Sequence, residues 1–146
     1  MLEFVKATPY DVLAINVQPA QRGALEAFER PEAAAVLRES LAYAAYDGKA
    51  CIAAAGVTPR WNGVAVAWAV LSPEAGPFLP AITKRCRGML DAAPFRRIEA
   101  TAACDFPEAE RWLRMLGFEL ETPWAEGYTP DGQDVAIFKR MKRWTP

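Results

Sequence analysis

The sequence predicts a mixed α/β fold built around one sheet, mostly antiparallel, and three observations carry that expectation. Leu2 and Phe4 alternate with Glu3 and Lys6, the period of a half-buried strand running from Leu2 to Ala7. The runs Cys51 to Val57 and Val64 to Leu71 are apolar almost throughout, as strands are when both faces are covered in the middle of a sheet. The segment Arg111-Trp112-Leu113-Arg114-Met115-Leu116-Gly117-Phe118 reads as a helix that stops on a left-handed glycine and turns directly into a strand.

The remaining elements follow in order. Thr8-Pro9 supplies an N-cap and a proline at the first helical position, opening a helix through Ile15. Pro19 to Arg30 reads as loop with a short helix around Ala24 to Phe28. From Pro31 to Leu41, Ala34, Leu37 and Leu41 share a helical face. Tyr43 to Tyr46 and Cys51 to Val57 form a hairpin in which Asp47-Gly48 favours a type I′ turn. Thr58 to Gly63 connects to Val64–Leu71, and the proline- and glycine-bearing stretch Ser72 to Pro80 leads to a helix over Phe78 to Leu90. Arg97 to Ala103 is a strand. Asp105-Phe106-Pro107-Glu108 starts a helix with an acidic first turn, favourable at a helix N-terminus. Phe118–Glu121 and Val135–Met141 make the last strand pair, with Asp131-Gly132 leading into the second. Four helices and one sheet over residues 1–146 predict a single domain, without internal repeat or linker.

Composition narrows the function. A net charge of −1 argues against a partner held mainly by electrostatics, so neither nucleic acid nor an anionic membrane is expected. Histidine is absent, which removes the commonest general base, the commonest zinc ligand and the usual hydrolase constellation. The three cysteines, Cys51, Cys86 and Cys104, match no metal or redox spacing and read as buried thiols of a reducing compartment. No apolar run reaches the roughly 18 residues of a membrane span. The start Met1-Leu2-Glu3-Phe4-Val5-Lys6 does not resemble a signal peptide, so the expected location is cytoplasmic.

The order of elements and the pattern Ala109, Leu113, Gly117, Phe118 (Ala-x-x-x-Leu-x-x-x-Gly-Phe) resemble the GNAT acetyltransferase superfamily over essentially the whole chain. Gly56-Val57-Thr58-Pro59-Arg60-Trp61, Ala67-Trp68-Ala69-Val70-Leu71 and Arg111-Trp112-Leu113 further resemble a phage-encoded branch that includes internal virion proteins of short-tailed phages and their prophage relatives.

The resemblance implies acetyl-coenzyme A as co-substrate and an amine as acceptor. The cofactor would lie in a V-shaped cleft where the fourth and fifth strands, Val64–Leu71 and Arg97–Ala103, splay apart. Its pantetheine arm would pair with the backbone of Val70, Leu71 and Ser72. The family's phosphate loop corresponds to Pro73-Glu74-Ala75-Gly76-Pro77-Phe78-Leu79-Pro80, which keeps one glycine, Gly76. Pro77 and Pro80 each lack an N–H that a phosphate would use. Lys84 and Arg85, one to two turns into the helix, are placed to reach a phosphate from the side.

The family's general-acid tyrosine corresponds to Leu113 and its frequent asparagine to Phe106. Neither side chain can serve that role. Phe106 and Trp112, the chain neighbour of Leu113, are the remaining cofactor-side positions. A base for the amine would be a carboxylate, and Glu99 and Glu74 are the two placed for it. Two functions follow: an N-acetyltransferase with little acid–base help from the protein, or a non-catalytic phage or prophage structural or interaction protein on the same scaffold. The second implies phage virion partners and a virion location. The basic run Lys139-Arg140-Met141-Lys142-Arg143-Trp144 suggests a homodimer formed by edge-strand pairing.

Overall fold

The computed structural model describes residues 2–142. The chain forms β1 (Leu2–Lys6), α1 (Pro9–Leu13), a 3₁₀ segment (Pro19–Leu25), α2 (Glu26–Glu29), α3 (Ala33–Glu39), β2 (Leu41–Asp47), β3 (Ala50–Trp61) and β4 (Val64–Leu71). A second 3₁₀ segment (Pro73–Phe78), α4 (Leu79–Ala92), β5 (Arg97–Ala103), α5 (Pro107–Met115), β6 (Glu119–Ala125) and β7 (Val135–Met141) complete it. The strands build one sheet in the order β1-β2-β3-β4-β5-β7-β6. Every neighbouring pair is antiparallel except β4 and β5.

Local chemistry accounts for the element ends. The Thr8 N–H donates to the Asp11 carboxylate at 2.8 Å and the Asp11 N–H to the Thr8 hydroxyl at 3.4 Å, a reciprocal cap that satisfies two free donors of α1. At the end of α5 the Phe118 N–H bonds the Leu113 carbonyl at 3.0 Å and the Gly117 N–H bonds that of Arg114 at 3.1 Å. This pairing needs Gly117 at φ +92°. Leu113 and Phe118 pack together in the core, so the cap also aims β6.

Helices cover both faces of the sheet. On one, Ile82, Cys86 and Leu90 of α4 and Leu113 of α5 pack on Ile98, Ala100 and Phe138. On the other, Val12, Ile15 and Leu37 pack on Ala42, Ala44, Ala54 and Val70. β3 and β4 lie in the middle, which is why their sequences are apolar on both sides.

Besides shifted element ends, such as β6 running on to Ala125 and α1 stopping at Leu13, the structure differs from the sequence expectations in four places. The β2–β3 turn is Gly48-Lys49, because Asp47 pairs with Ala50, and only Gly48 has positive φ (62°). One positive φ at the first central residue is the II′ pattern, not I′. β3 continues through the expected connection to Trp61. Beyond Val57 it has β4 alone as neighbour, so the missing N–H of Pro59 costs no β2 ladder bond. The second helix stops at Glu39, because Leu41 is drawn into the β2–β3 ladder opposite Val57. Finally, β7, which carries Lys139 and Arg140 of the basic run, is internal, flanked by β5 and β6. The edges of the sheet are β1 and β6, so the basic run offers no free edge for a dimer. Arg143 and Trp144 of that run lie outside the described residues.

Candidate functional site

The site begins where the sheet stops being continuous. β4 and β5 pair in parallel at Val64–Arg97, Ala65–Ile98 and Val66–Glu99, and then separate. Both strands run on, β4 to Leu71 and β5 to Ala103. Backbone groups alternate in direction along a strand. The Ser72 N–H bonds the Ile52 carbonyl at 2.8 Å, and Val70 stands opposite Ala54 of β3. Ala69 and Leu71 therefore turn their N–H and C=O groups the other way, into the gap.

Those groups have a partner within the chain. The Gln21 side-chain amide donates to the Ala69 carbonyl at 3.0 Å and accepts from the Leu71 N–H at 2.9 Å. The Gln18 N–H donates to the Leu71 carbonyl at 3.2 Å. Behind them lies a cavity of about 90 Å³, walled by Ala67, Ala100, Leu90, Leu113, Leu116 and Phe118. Gln21, Thr101 and Trp112 are its polar side chains. The Trp112 indole N–H donates to the Thr83 hydroxyl at 2.8 Å, which ties α5 to α4 across the back of the gap.

A second groove, about 450 Å³, opens under α2 and α3 on the opposite face. Phe28, Val36, Leu37 and Trp68 make it apolar, with Arg30 and Glu32 also lining it. Trp68 is fixed by an indole hydrogen bond to the Thr58 hydroxyl at 3.0 Å and by the Phe28 ring, 5.0 Å away at 57°. Trp68 and Ala69 line both spaces, so the two meet at the middle of β4.

By sequence, no protein-family model and no curated protein matches the chain. Solved structures do match it by shape. An acetyltransferase of the GNAT family from Streptococcus pneumoniae superposes with TM-score 0.69 at 14% identity, covering 97% of this chain and 100% of that one. Ribosomal-protein-S5-alanine acetyltransferase from Vibrio fischeri gives 0.69 at 19% identity, covering 99% and 96%. Ribosomal-protein-S18-alanine N-acetyltransferase from Escherichia coli gives 0.69 at 16%, covering 100% and 97%. The chain has the GNAT acetyltransferase fold. The resemblance to a phage-encoded branch finds no support in these matches.

Within the GNAT fold the expected site residues fall into three groups. The first faces the gap. Of Val70, Leu71 and Ser72, Leu71 presents its backbone there, whereas Val70 is buried in the α1–α3 core. Ser72 caps the second 3₁₀ segment, its hydroxyl oxygen accepting from the Glu74 N–H at 3.2 Å. Trp112 lines the cavity, and Leu113, 8% exposed, forms its wall.

The second group lies at or near the starts of α4 and α5. Gly76 is exposed, with open space where a side chain would stand. At the start of α4 the Leu79 N–H is taken by the Gly76 carbonyl and Pro80 has none, so the first turn has few free donors. Lys84 is exposed on the rim of a groove shared with Pro80 and Arg87. Phe106 stands half-buried as the N-cap of α5.

The third group is the carboxylates, and the structure brings neither to the cavity. Glu99 is held by Arg60 at 3.0 Å and Arg97 at 2.9 Å. Arg97 also grips Glu121, and the two carboxylates raise its pKa further. Glu74 is exposed and contacts the Ser72 hydroxyl.

Two residues of the site, Gln21 and Thr101, carry no sequence motif, and Trp68 entered the sequence reading only within the pattern Ala67–Leu71. Gln21 lies 50 residues from Leu71, in a short 3₁₀ segment without periodicity. The alternation of β5 is the one available signal for Thr101, since it sets Thr101 opposite in facing to the buried Ala100 and Ala102. Burial pushes the thiols of Cys51 and Cys86 up to about 11, which marks them as packing groups. Among the described residues, no cluster of three His, Cys, Asp or Glu side chains is placed to hold a metal, and no helix is long and apolar enough to cross a membrane.

Proposed function

We propose that the chain binds an acyl-coenzyme A, acetyl-coenzyme A first among them, in the gap between β4 and β5 and transfers the acyl group to an amine. The observation that supports this most directly is the bidentate pairing of the Gln21 amide with Ala69 and Leu71. It demonstrates that this edge takes an amide group as a strand would, and a pantetheine arm carries two such amides. Ala69 and Leu71 therefore suit the arm. The α4 start, with Pro77 and Pro80, suits the pyrophosphate less well and leaves Lys84 as the cation nearest that end.

Bound acyl-coenzyme A supplies an activated acyl carbon. The chain's residues orient and shield it. The Ala69–Leu71 edge aligns the arm, and Leu113, Leu116 and Phe118 keep water from the cavity. The amine enters by the groove under α2 and α3, whose floor meets the cavity at Trp68 and Ala69. That floor favours an amine on an apolar stem, with Arg30 and Glu32 beside it to take polar substituents. Transfer forms the C–N bond and breaks the C–S bond, coenzyme A leaves as its thiolate by the β4–β5 gap, and the amine's proton goes to solvent along the groove. The cavity holds neither a carboxylate nor a phenol to receive it.

Leu113 and the prolines favour a second reading, a scaffold that binds a partner without acyl transfer. Calorimetric titration with acetyl-coenzyme A, followed by thiol release with a panel of primary amines, separates the two. Micromolar binding with amine-dependent thiol release is expected; no binding at millimolar cofactor overturns the transferase reading.

A further inference from the structure

We propose that Gln21 is a built-in competitor for the cofactor edge: its amide occupies the backbone groups of β4 that a strand-like ligand uses, and binding requires it to leave. This rests on the acyl-coenzyme A reading above. Four observations converge on it. Ala69 and Leu71 lose their β-partner where β4 and β5 separate, so their inward groups would stand unpaired at a partly buried edge, which is costly. Gln21 satisfies one acceptor and one donor there at 3.0 and 2.9 Å, with the donor–acceptor sense of an added strand. The Gln18 N–H closes the adjacent Leu71 carbonyl, so residues 18–21 run along the edge as a strap. The cavity left behind is about 90 Å³, far below the several hundred Å³ of a typical ligand site.

The strap is built to detach. It comprises Gln18 and the 3₁₀ segment Pro19–Leu25, and among the described residues its hydrogen bonds to this edge come from the Gln21 side chain and the Gln18 N–H. Gln21 is half-exposed, so water can take over its amide when it swings out. The bound state then exchanges one amide for another on the same two backbone groups. Apparent affinity falls by the fraction of molecules whose edge is open.

The test uses the full chain and Gln21→Ala, with coenzyme A itself as probe. In the absence of ligand, amide exchange at Leu71 is expected to be slow in the parent and faster in the variant. Removing two hydrogen bonds from the closed state is expected to tighten coenzyme A binding by about tenfold. Equal or weaker binding by the variant overturns the competition while leaving the cofactor reading intact. Failure of both proteins to bind at millimolar coenzyme A overturns both. Unchanged Leu71 exchange overturns the assignment of Gln21 to the edge. Gln21→Glu, which can accept from Leu71 but cannot donate to Ala69, is expected to fall between the two proteins.

Discussion

The indole of Trp68 lies across Gly56 on the neighbouring strand. A Cβ on Gly56 would stand 2.6 Å from Trp68 Cζ2 and 2.9 Å from the Ala42 Cβ. The absent side chain is the space the ring occupies, and the ring in turn forms the floor shared by the two cavities. Gly56→Ala is expected to destabilise the fold by about 1–3 kcal/mol in urea unfolding, the usual cost of overpacking. In a Trp68→Ala background that cost should shrink, since the ring contact is gone and the Ala42 contact remains.

A chain of charges runs from β3 to β7: Arg60, Glu99, Arg97, Glu121 and Lys139. Arg97 holds the Glu121 carboxyl down to about 2, from an ordinary 4.5. A carboxyl lowered on folding stabilises above its unfolded value and loses that contribution as pH falls through the folded one. The window is therefore about pH 4.5 down to 2. Arg97→Ala should return Glu121 towards its ordinary value, read from carboxyl ¹³C shifts, and move acid unfolding to higher pH.

The cysteines give a prediction that also bears on any thiol-release assay. Cys51 and Cys86 are buried with thiols near 11, and Cys104 is half-exposed. In the native protein at pH 8, an aromatic disulfide reagent should titrate Cys104 alone. In guanidinium all three should react. Fast native reaction of Cys86 would mean that the cavity wall opens more readily than its packing implies.

Leu113 is the wall residue at the position where the sequence resemblance implies a phenol. Leu113→Tyr places a hydroxyl in the cavity at a cost of about 1–3 kcal/mol in stability from added volume. If transfer is limited by proton delivery to the leaving thiolate, thiol release with a competent amine should rise by at least about tenfold. An unchanged rate with intact coenzyme A binding would put the limit elsewhere.

Much of the fold is legible where local chemistry decides it. Thr8-Pro9, the β5 segment Arg97–Ala103 and Gly117 are set by capping, alternation and a positive φ, all of which a short window contains. The β3 extension is not, because Pro59 reads as a break until it is known that β2 ends beside Val57. The site divides the same way. Counting from Gly117 reaches Leu113, which walls the cavity, and Phe106, which does not line it, and the place of β4 in the order points to its unpaired edge. Gln21 is invisible, since its role depends on a contact 50 residues away that no periodicity announces. Glu99 is a carboxylate in the right strand whose use is fixed by Arg60, a residue of a different strand.

The parting of β4 from β5 also divides the chain along its length. Every strand before the gap comes from residues 2–71 and every strand after it from residues 97–141. Each portion keeps an antiparallel ladder, bulged in places, and the backbone passes between them once, through Pro73–Phe78 and α4. A nick among the exposed residues of Pro73–Phe78 would sever two portions whose sheet pairing is confined to Val64–Val66 with Arg97–Glu99. The two pieces would retain complementary surfaces, with the apolar side of α4 matching the floor formed by Ile52, Val57 and Ala65.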